Sequence, residues 1–341
     1  MELYGLLQYL VGFLIAGGIY ALLCLALNVQ WGYGGLFNAG IAGFFAVGAY
    51  TSAILTAASS GGKHVGGFAL PIPLGLAGAA LVAGVTGWAV ARICVRLQSD
   101  YLAMASIGIS EILRLLIVNE QWLTNGSLGI ANIPRPFESR VTGEASAWVF
   151  VLVVWGIVFA SWYGCNRLYD SPWGRALRAI RDNEEAARAV GKDVDRLRLQ
   201  TYVIGCALMG VAGALSASYF KFLSPAATDP LLITFLVWVM LVAGGSGNNR
   251  GAVVGALVIW AIWSVTEIFT ARLPPDWTAR SSYVRMFLVG LLLQFVLQRY
   301  RGGLVPERSP PLRFSPRAAA AAAPEPAHLP AAAAPASGKV L

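Results

Sequence analysis

Ser171 to Arg198, SPWGRALRAIRDNEEAARAVGKDVDRLR, is the long hydrophilic stretch of an otherwise strongly apolar chain. Ser171 is a favourable N-cap, and Pro172 suits the first helical position, where a missing N–H costs nothing. Trp173, Leu177 and Ile180 then recur at i, i+4 and i+7, with Arg175, Arg178 and Arg181 on the other faces. That pattern predicts a short helix lying on a membrane surface with its arginines toward lipid headgroups. A second helix is expected at once. Asp182, with Glu185 three residues on, imitates a capping box, a cap worth about 0.5–2 kcal/mol. Gly191 supplies the left-handed stop, and Lys192 places a cation near the negative end of the dipole. Ala186, Ala187 and Ala189 are expected on an exposed side that another protein can approach closely. So short a helix is marginal alone, and a docking partner is expected to supply the missing stabilisation.

Outward from this stretch the chain reads as an integral membrane protein. Charged residues make up 12% and hydrophobic ones 57% of it; soluble domains carry about 25% charged residues. A span needs about 20 apolar residues. Segments near 8–29, 35–56, 69–94, 101–119, 146–164, 199–220, 230–247, 252–270 and 282–299 meet that length. The expected fold is therefore all-α, with about eight or nine transmembrane helices. The loop at 165–198 carries Arg167, Arg175, Arg178, Arg181, Arg188, Lys192, Arg196 and Arg198, which makes it cytoplasmic by the positive-inside rule. Alternation then puts the N-terminus and the 120–145 segment outside and the C-terminus inside. The net charge of +8 is explained by such loops, and nucleic acid is not an expected partner.

Several features exclude other chemistries. Cys24, Cys94, Cys165 and Cys206 have no metal or redox spacing and read as reduced packing thiols; no metal site is expected. Met1-Glu2-Leu3-Tyr4 lacks the basic region of a signal peptide, so the first apolar segment is expected to be retained. Gly244-Gly245-Ser246-Gly247-Asn248-Asn249-Arg250-Gly251 lacks the Lys-Ser/Thr of a phosphate loop, and no ATP hydrolysis is expected of this chain. Beyond residue 305 the sequence turns to Ala and Pro; 306–341 reads as a disordered cytoplasmic tail without a functional role, behind a membrane-spanning domain at 1–305.

Two spans carry candidate path residues. Asn38 invites a helix break before Gly40 and Gly43, a density of glycine that either lines a cavity or permits close helix packing. Leu102 to Val118 holds Ser106, Ser110, Glu111 and Arg114. Glu111 and Arg114 stand at i, i+3, so they either neutralise each other structurally or gate a path. Thr124 to Ile130 is turn-rich, a plain connection or a contact for another protein.

Glu185-Ala186-Ala187, three residues, then Gly191 resembles the EAA motif of ABC-importer permeases. Gly174 to Glu184, GRALRAIRDNE, resembles the branched-chain amino-acid permease family, its LivM-like branch in particular, as do the segments around Asn38, Tyr101 to Arg114 and Thr124 to Ile130. The Pro-containing tail of the wider EAA pattern does not follow Gly191. The resemblance implies an importer permease whose coupling helix, with Arg178, Arg181, Asp182, Asn183, Glu184, Glu185, Ala186, Ala187 and Gly191, docks in a cytoplasmic ATPase. It implies as partners a second related permease, two ATPases that hold ATP and Mg, a periplasmic amino-acid-binding protein and membrane lipid in a bacterial inner membrane. Leucine, isoleucine and valine are the expected cargo; relatives that carry urea, short amides or aromatic carboxylates are the alternative. An ion-coupled secondary transporter is the competing class, with Glu111 and Glu267 as its available carboxylates.

Overall fold

The computed structural model describes residues 2–58, 65–97, 99–136, 144–225, 230–270 and 302–307, with scattered positions between 287 and 299. In chain order the helices are α1 (Glu2–Leu27), a π-helical turn (Asn28–Tyr33), α2 (Ile41–Thr56), α3 (Ile72–Cys94), α4 (Ser99–Asn119) and the single turn α5 (Gln121–Thr124). They continue with α6 (Glu144–Asp170), α7 (Pro172–Asp182), α8 (Glu184–Ala189), α9 (Val194–Phe220), α10 (Pro230–Gly244) and α11 (Asn249–Thr270). A two-residue ribbon pairs β1 (Ile130–Ala131) antiparallel to β2 (Phe222–Leu223).

Among the described residues, six helical segments are long and apolar enough to cross a membrane: Gly5–Tyr33, Ile72–Cys94, Asp100–Asn119, Ala145–Asp170, Val194–Phe220 and Asn249–Glu267. The apolar helices Ile41–Thr56 and Leu232–Gly244 are shorter. Eight of the expected spans thus coincide with helices, two of them short. The ninth, 282–299, falls largely outside the described residues, as do residues 308–341 of the expected tail. α2 is short because the chain is not helical from Gly34 to Gly40; Asn38 Oδ1 there accepts from Gly40 N at 2.8 Å, occupying an amide before the helix starts.

The far half of α1, Ala21 to Leu27, is wholly buried. It is enclosed by α6, α9, α10 and α11, whose Val154, Met209, Val237, Met240 and Ile259 join the same apolar cluster. α2 and α3 cover the other side of α9. Between α2 and α9 the backbones nearly touch: a Cβ on Gly48 would lie 2.2 Å from Gly210 O, and one on Gly213 would lie 2.0 Å from Phe45 O. Lipid is as apolar as leucine, so helices in a bilayer gain little from hydrophobic burial against one another and depend on such close packing. Leu81, Ile107 and Leu152 point outward from α3, α4 and α6, a surface suited to lipid. All four cysteines are free and buried, as packing thiols would be.

Gly213→Val should separate α2 from α9 and cost about 1–3 kcal/mol, the usual scale of overpacking. Thermal unfolding in mild detergent should fall for this variant and not for Gly156→Ala, where an added Cβ meets nothing within 4 Å.

Candidate functional site

The hydrophilic stretch folds as two helices joined at one residue. Ser171 Oγ accepts from Gly174 N at 3.2 Å with Pro172 at the first position, as its sequence suggests. The second cap departs from expectation. Asp182 remains the last residue of α7, and Asn183 caps α8, its Oδ1 accepting from Ala186 N at 3.0 Å. Asn183 is extended, at φ −155 and ψ 104, and there its own N–H still reaches Ala179 O at 3.0 Å. One residue therefore closes α7 and opens α8, and no capping box forms between Asp182 and Glu185. The far end is as the sequence predicts. Gly191 takes φ +78, Gly191 N donates to Arg188 O at 3.0 Å, and Lys192 N donates to Ala187 O at 3.1 Å. These are the paired bonds of a Schellman stop, which glycine reaches without a Cβ penalty.

α8 seats itself through Ala187, buried with Ile180 and Val194; Ala187 is thus not one of the exposed alanines expected. Glu185, Ala186 and Ala189 are exposed, and so is Val190, at 74%. Glu184 receives Arg188 at 2.9 Å and Arg198 at 2.7 Å, tying α8 to the start of α9.

The arginines of α7 each bond to protein oxygens, and Arg181 turns inward rather than toward the surface expected of it. Arg178 lies 3.8 Å from the Tyr169 ring centroid and donates to Tyr169 O at 3.0 Å. Arg175 donates to Asp170 O at 2.9 Å. Arg181 points into the protein, donating to Gly32 O and pairing with Glu307 at 3.1 Å and Asp182 at 3.2 Å. Arg175 and Arg178 thus bond locally to the end of α6, whereas Arg181 reaches partners 149 and 126 residues away, with charge-assisted bonds to carboxylate and carbonyl oxygens. Burial by itself would lower the Arg181 pKa; hydrogen bonds and charge from Glu307 and Asp182 outweigh it and raise it, so this cation stays charged at physiological pH.

Behind Arg181 lies a buried amide network of which the sequence reading singled out Asn38 alone. Asn28 Nδ2 donates to Asn249 Oδ1 at 2.9 Å, and Asn28 Oδ1 accepts from Gly247 N at 2.8 Å. Tyr33 OH donates to Asn249 Oδ1 at 2.5 Å, and Asn249 Nδ2 donates to Asn166 Oδ1 at 2.9 Å. Gln30 Nε2 donates to Tyr202 O at 2.9 Å, while its Oε1 accepts from Asn38 Nδ2 at 2.9 Å. Asn28, Gln30 and Asn38 have no exposed surface. Their signal was present: two amides, Asn28 and Gln30, closing an apolar run.

Asn38, Gly40, Gly43 and Ser106 come together. Ser106 Oγ accepts from Ala39 N at 2.9 Å; a Cβ on Gly40 would lie 2.6 Å from Ser106 O, and one on Gly43 2.8 Å from Ser110 Cα. In this conformation these glycines are helix contacts between α2 and α4. Glu111 and Arg114 pair with each other at 2.5 Å and stand half-exposed, further along α4 than Ser106. Thr124 to Ile130 is folded rather than loose: Thr124 Oγ1 donates to Ile117 O at 2.5 Å, and Ile130 pairs with Leu223.

The model of the branched-chain amino acid transport system permease component matches residues 9–297. The chain belongs to this permease family. The high-affinity branched-chain amino acid transport system permease protein LivM of Escherichia coli is 31% identical over 323 residues, 88% of this chain and 71% of that protein. LivM of Salmonella typhimurium is 32% identical over 318 residues, 87% and 70%. LivH of E. coli is 28% identical over 298 residues, 84% and 93%. No solved structure matches. The chain is accordingly a multi-pass membrane permease component of branched-chain amino acid ABC transport, and its relatives are permease subunits.

In this permease Asn28→Leu should leave Asn249 and Gly247 N–H short of partners and cost about 1–3 kcal/mol. In a double-mutant cycle with Asn249→Leu, thermal unfolding should show a coupling of about 0.5–3 kcal/mol, since each removes the other's partner. Strict additivity would remove the network as a stabilising unit.

Proposed function

We propose that this chain is the membrane-spanning subunit of an ATP-driven importer for leucine, isoleucine and valine, and that α8 is its coupling helix. The carrying observation is α8 itself, two turns closed by Asn183 and Gly191 and anchored by Ala187, with Glu185, Ala186, Ala189 and Val190 left facing outward. An apolar patch with small side chains and a carboxylate on so short a helix suits a groove in another protein, the helix-in-groove mode of recognition. Arg178, Arg181 and Asp182 belong to the anchoring side of this arrangement rather than to its docking face.

In this reading two ATPase subunits hold ATP and Mg and perform hydrolysis; this chain is not catalytic. A second related permease completes the path, and a periplasmic amino-acid-binding protein delivers cargo at the face opposite α8. The protein lies in the bacterial inner membrane with its N-terminus outside and its C-terminus in the cytoplasm. Nucleotide-driven closure of the ATPases moves the α7–α8 hairpin, and that movement biases two arrangements of the packed helices. Asn38, Gly40, Gly43 and Ser106 sit at the break between α1 and α2, where unwound backbone is held against α4 and where a change of helix packing opens or closes a path.

Asn183→Ala removes a cap worth about 0.5–2 kcal/mol, and Gly191→Val forces a β-branched residue into a left-handed conformation costing about 1–2 kcal/mol. Glu185→Lys reverses a charge on the docking face. Gly191→Val and Glu185→Lys should each abolish leucine uptake, and Asn183→Ala should reduce it, with the chain inserted normally and ATPases depleted in pull-downs. Normal uptake by Glu185→Lys and Gly191→Val would remove α8 from the coupling role.

A further inference from the structure

The short segment Gly302–Glu307 is docked onto the turn between α10 and α11 by backbone bonds. Leu304 N donates to Ala243 O and Val305 N to Gly244 O, both at 2.9 Å, so the segment satisfies carbonyls that the end of α10 leaves open. Asn248 Nδ2 fixes Pro306 O at 3.0 Å. Gly303 is required for the approach, since a Cβ there would lie 2.5 Å from the Gly245 backbone.

This docking delivers Glu307 to one place. Its carboxylate lies over Gly247, whose added Cβ would come within 2.7 Å of the Glu307 carboxyl carbon, and it meets Arg181 through both oxygens at 3.2 and 3.1 Å. The same guanidinium donates to Gly32 O, in the π-helical turn that ends the first span. The Gly247 N–H, for its part, donates to Asn28 Oδ1 in that turn. Two connectors therefore converge. One runs from α7 through Arg181 to Gly32; the other runs from the α10–α11 turn through Gly247 to Asn28. Glu307 bridges them from a position 126 residues away from Arg181.

We infer that Glu307 is a positioning residue for coupling, a latch that holds Arg181 against Gly32 so that displacement of the α7–α8 hairpin carries the end of the first span and the α10–α11 turn with it. A two-point ion pair suits that role, because it fixes the orientation of the guanidinium as well as its position. Glu307 takes no part in the outward face of α8, so its loss should leave docking intact and weaken transmission alone. The inference rests on the reading of α8 as an ATPase-docking helix.

The test uses the complete complex in proteoliposomes, with Glu307→Gln, Glu307→Lys and Glu307→Asp, reading co-purified ATPase, ATP hydrolysis and radiolabelled leucine moved per ATP. Glu307→Lys should retain the ATPases and hydrolyse ATP within about twofold of the parent, yet move about fivefold less leucine per ATP, within the usual span of coupling effects. Glu307→Gln should fall between, and Glu307→Asp should recover most of the loss. Unchanged leucine per ATP in Glu307→Lys overturns the latch. Loss of the ATPases from that variant also overturns it, assigning Glu307 to docking. A parent complex without ATPase would sink the coupling reading and the latch together, an outcome distinct from either.

Discussion

A side-chain amide inside a membrane protein is tolerated only where its donors and acceptors are met, because the surrounding medium offers none. Asn28, Gln30, Asn38 and Asn249 meet that constraint on one another and on the backbones of α9 and the α10–α11 turn. The consequence is geometric. Three regions far apart in sequence, the connection from α1 to α2, the first third of α9 and the start of α11, are held in one register at the end of the bundle that bears α7 and α8. The amides thereby fix where the first span stops being an α-helix, and with it the depth at which α2 begins.

The two halves of the packing obey different physics. Along α2, α3 and α9 small residues let backbones meet, and the attraction is dispersion over a large, close area. Around the π-helical turn it is directional hydrogen bonding, which has discrete arrangements rather than a continuum. Arg181 connects that polar region to the short helices outside it, and Glu307 connects it to the chain beyond α11. The hydrogen-bonded groups, held in one arrangement, are suited to travelling together.

What was legible in the sequence follows from range. α7 and α8 were readable because caps act within four residues: Ser171, Pro172 and Gly191 do locally what their chemistry suggests. The misplaced cap shows the limit. Asp182 and Asn183 are comparable cap residues, and the choice falls to Asn183 because it can be extended while its own N–H still serves Ala179 O. The arginine directions were not legible at all. Arg181 turns inward toward Gly32 and Glu307, partners 149 and 126 residues distant, and amphipathic spacing carries no information about them. The apolar spans were found by length, yet α2 and α10 came out shorter than their apolar runs, trimmed by Gly34–Gly40 and by the Gly244–Asn248 turn. Asn28 and Gln30 stood in plain view as amides in an apolar run, and Asn249, the partner of Asn28, was hidden in a turn read only against the phosphate-loop pattern.

The central claim is that α8 and the start of α11 move as one body. The most direct measurement is the distance between spin labels at Ala189→Cys and Arg250→Cys in the assembled complex, with and without nucleotide; both positions are exposed, and the native cysteines are buried. A third label at Leu128→Cys, on the opposite end, reports whether the protein has changed state. The account predicts an unchanged distance between 189 and 250 while the distance from each to 128 shifts. A shift between 189 and 250, with 250 to 128 constant, would show the hairpin moving alone and contradict it.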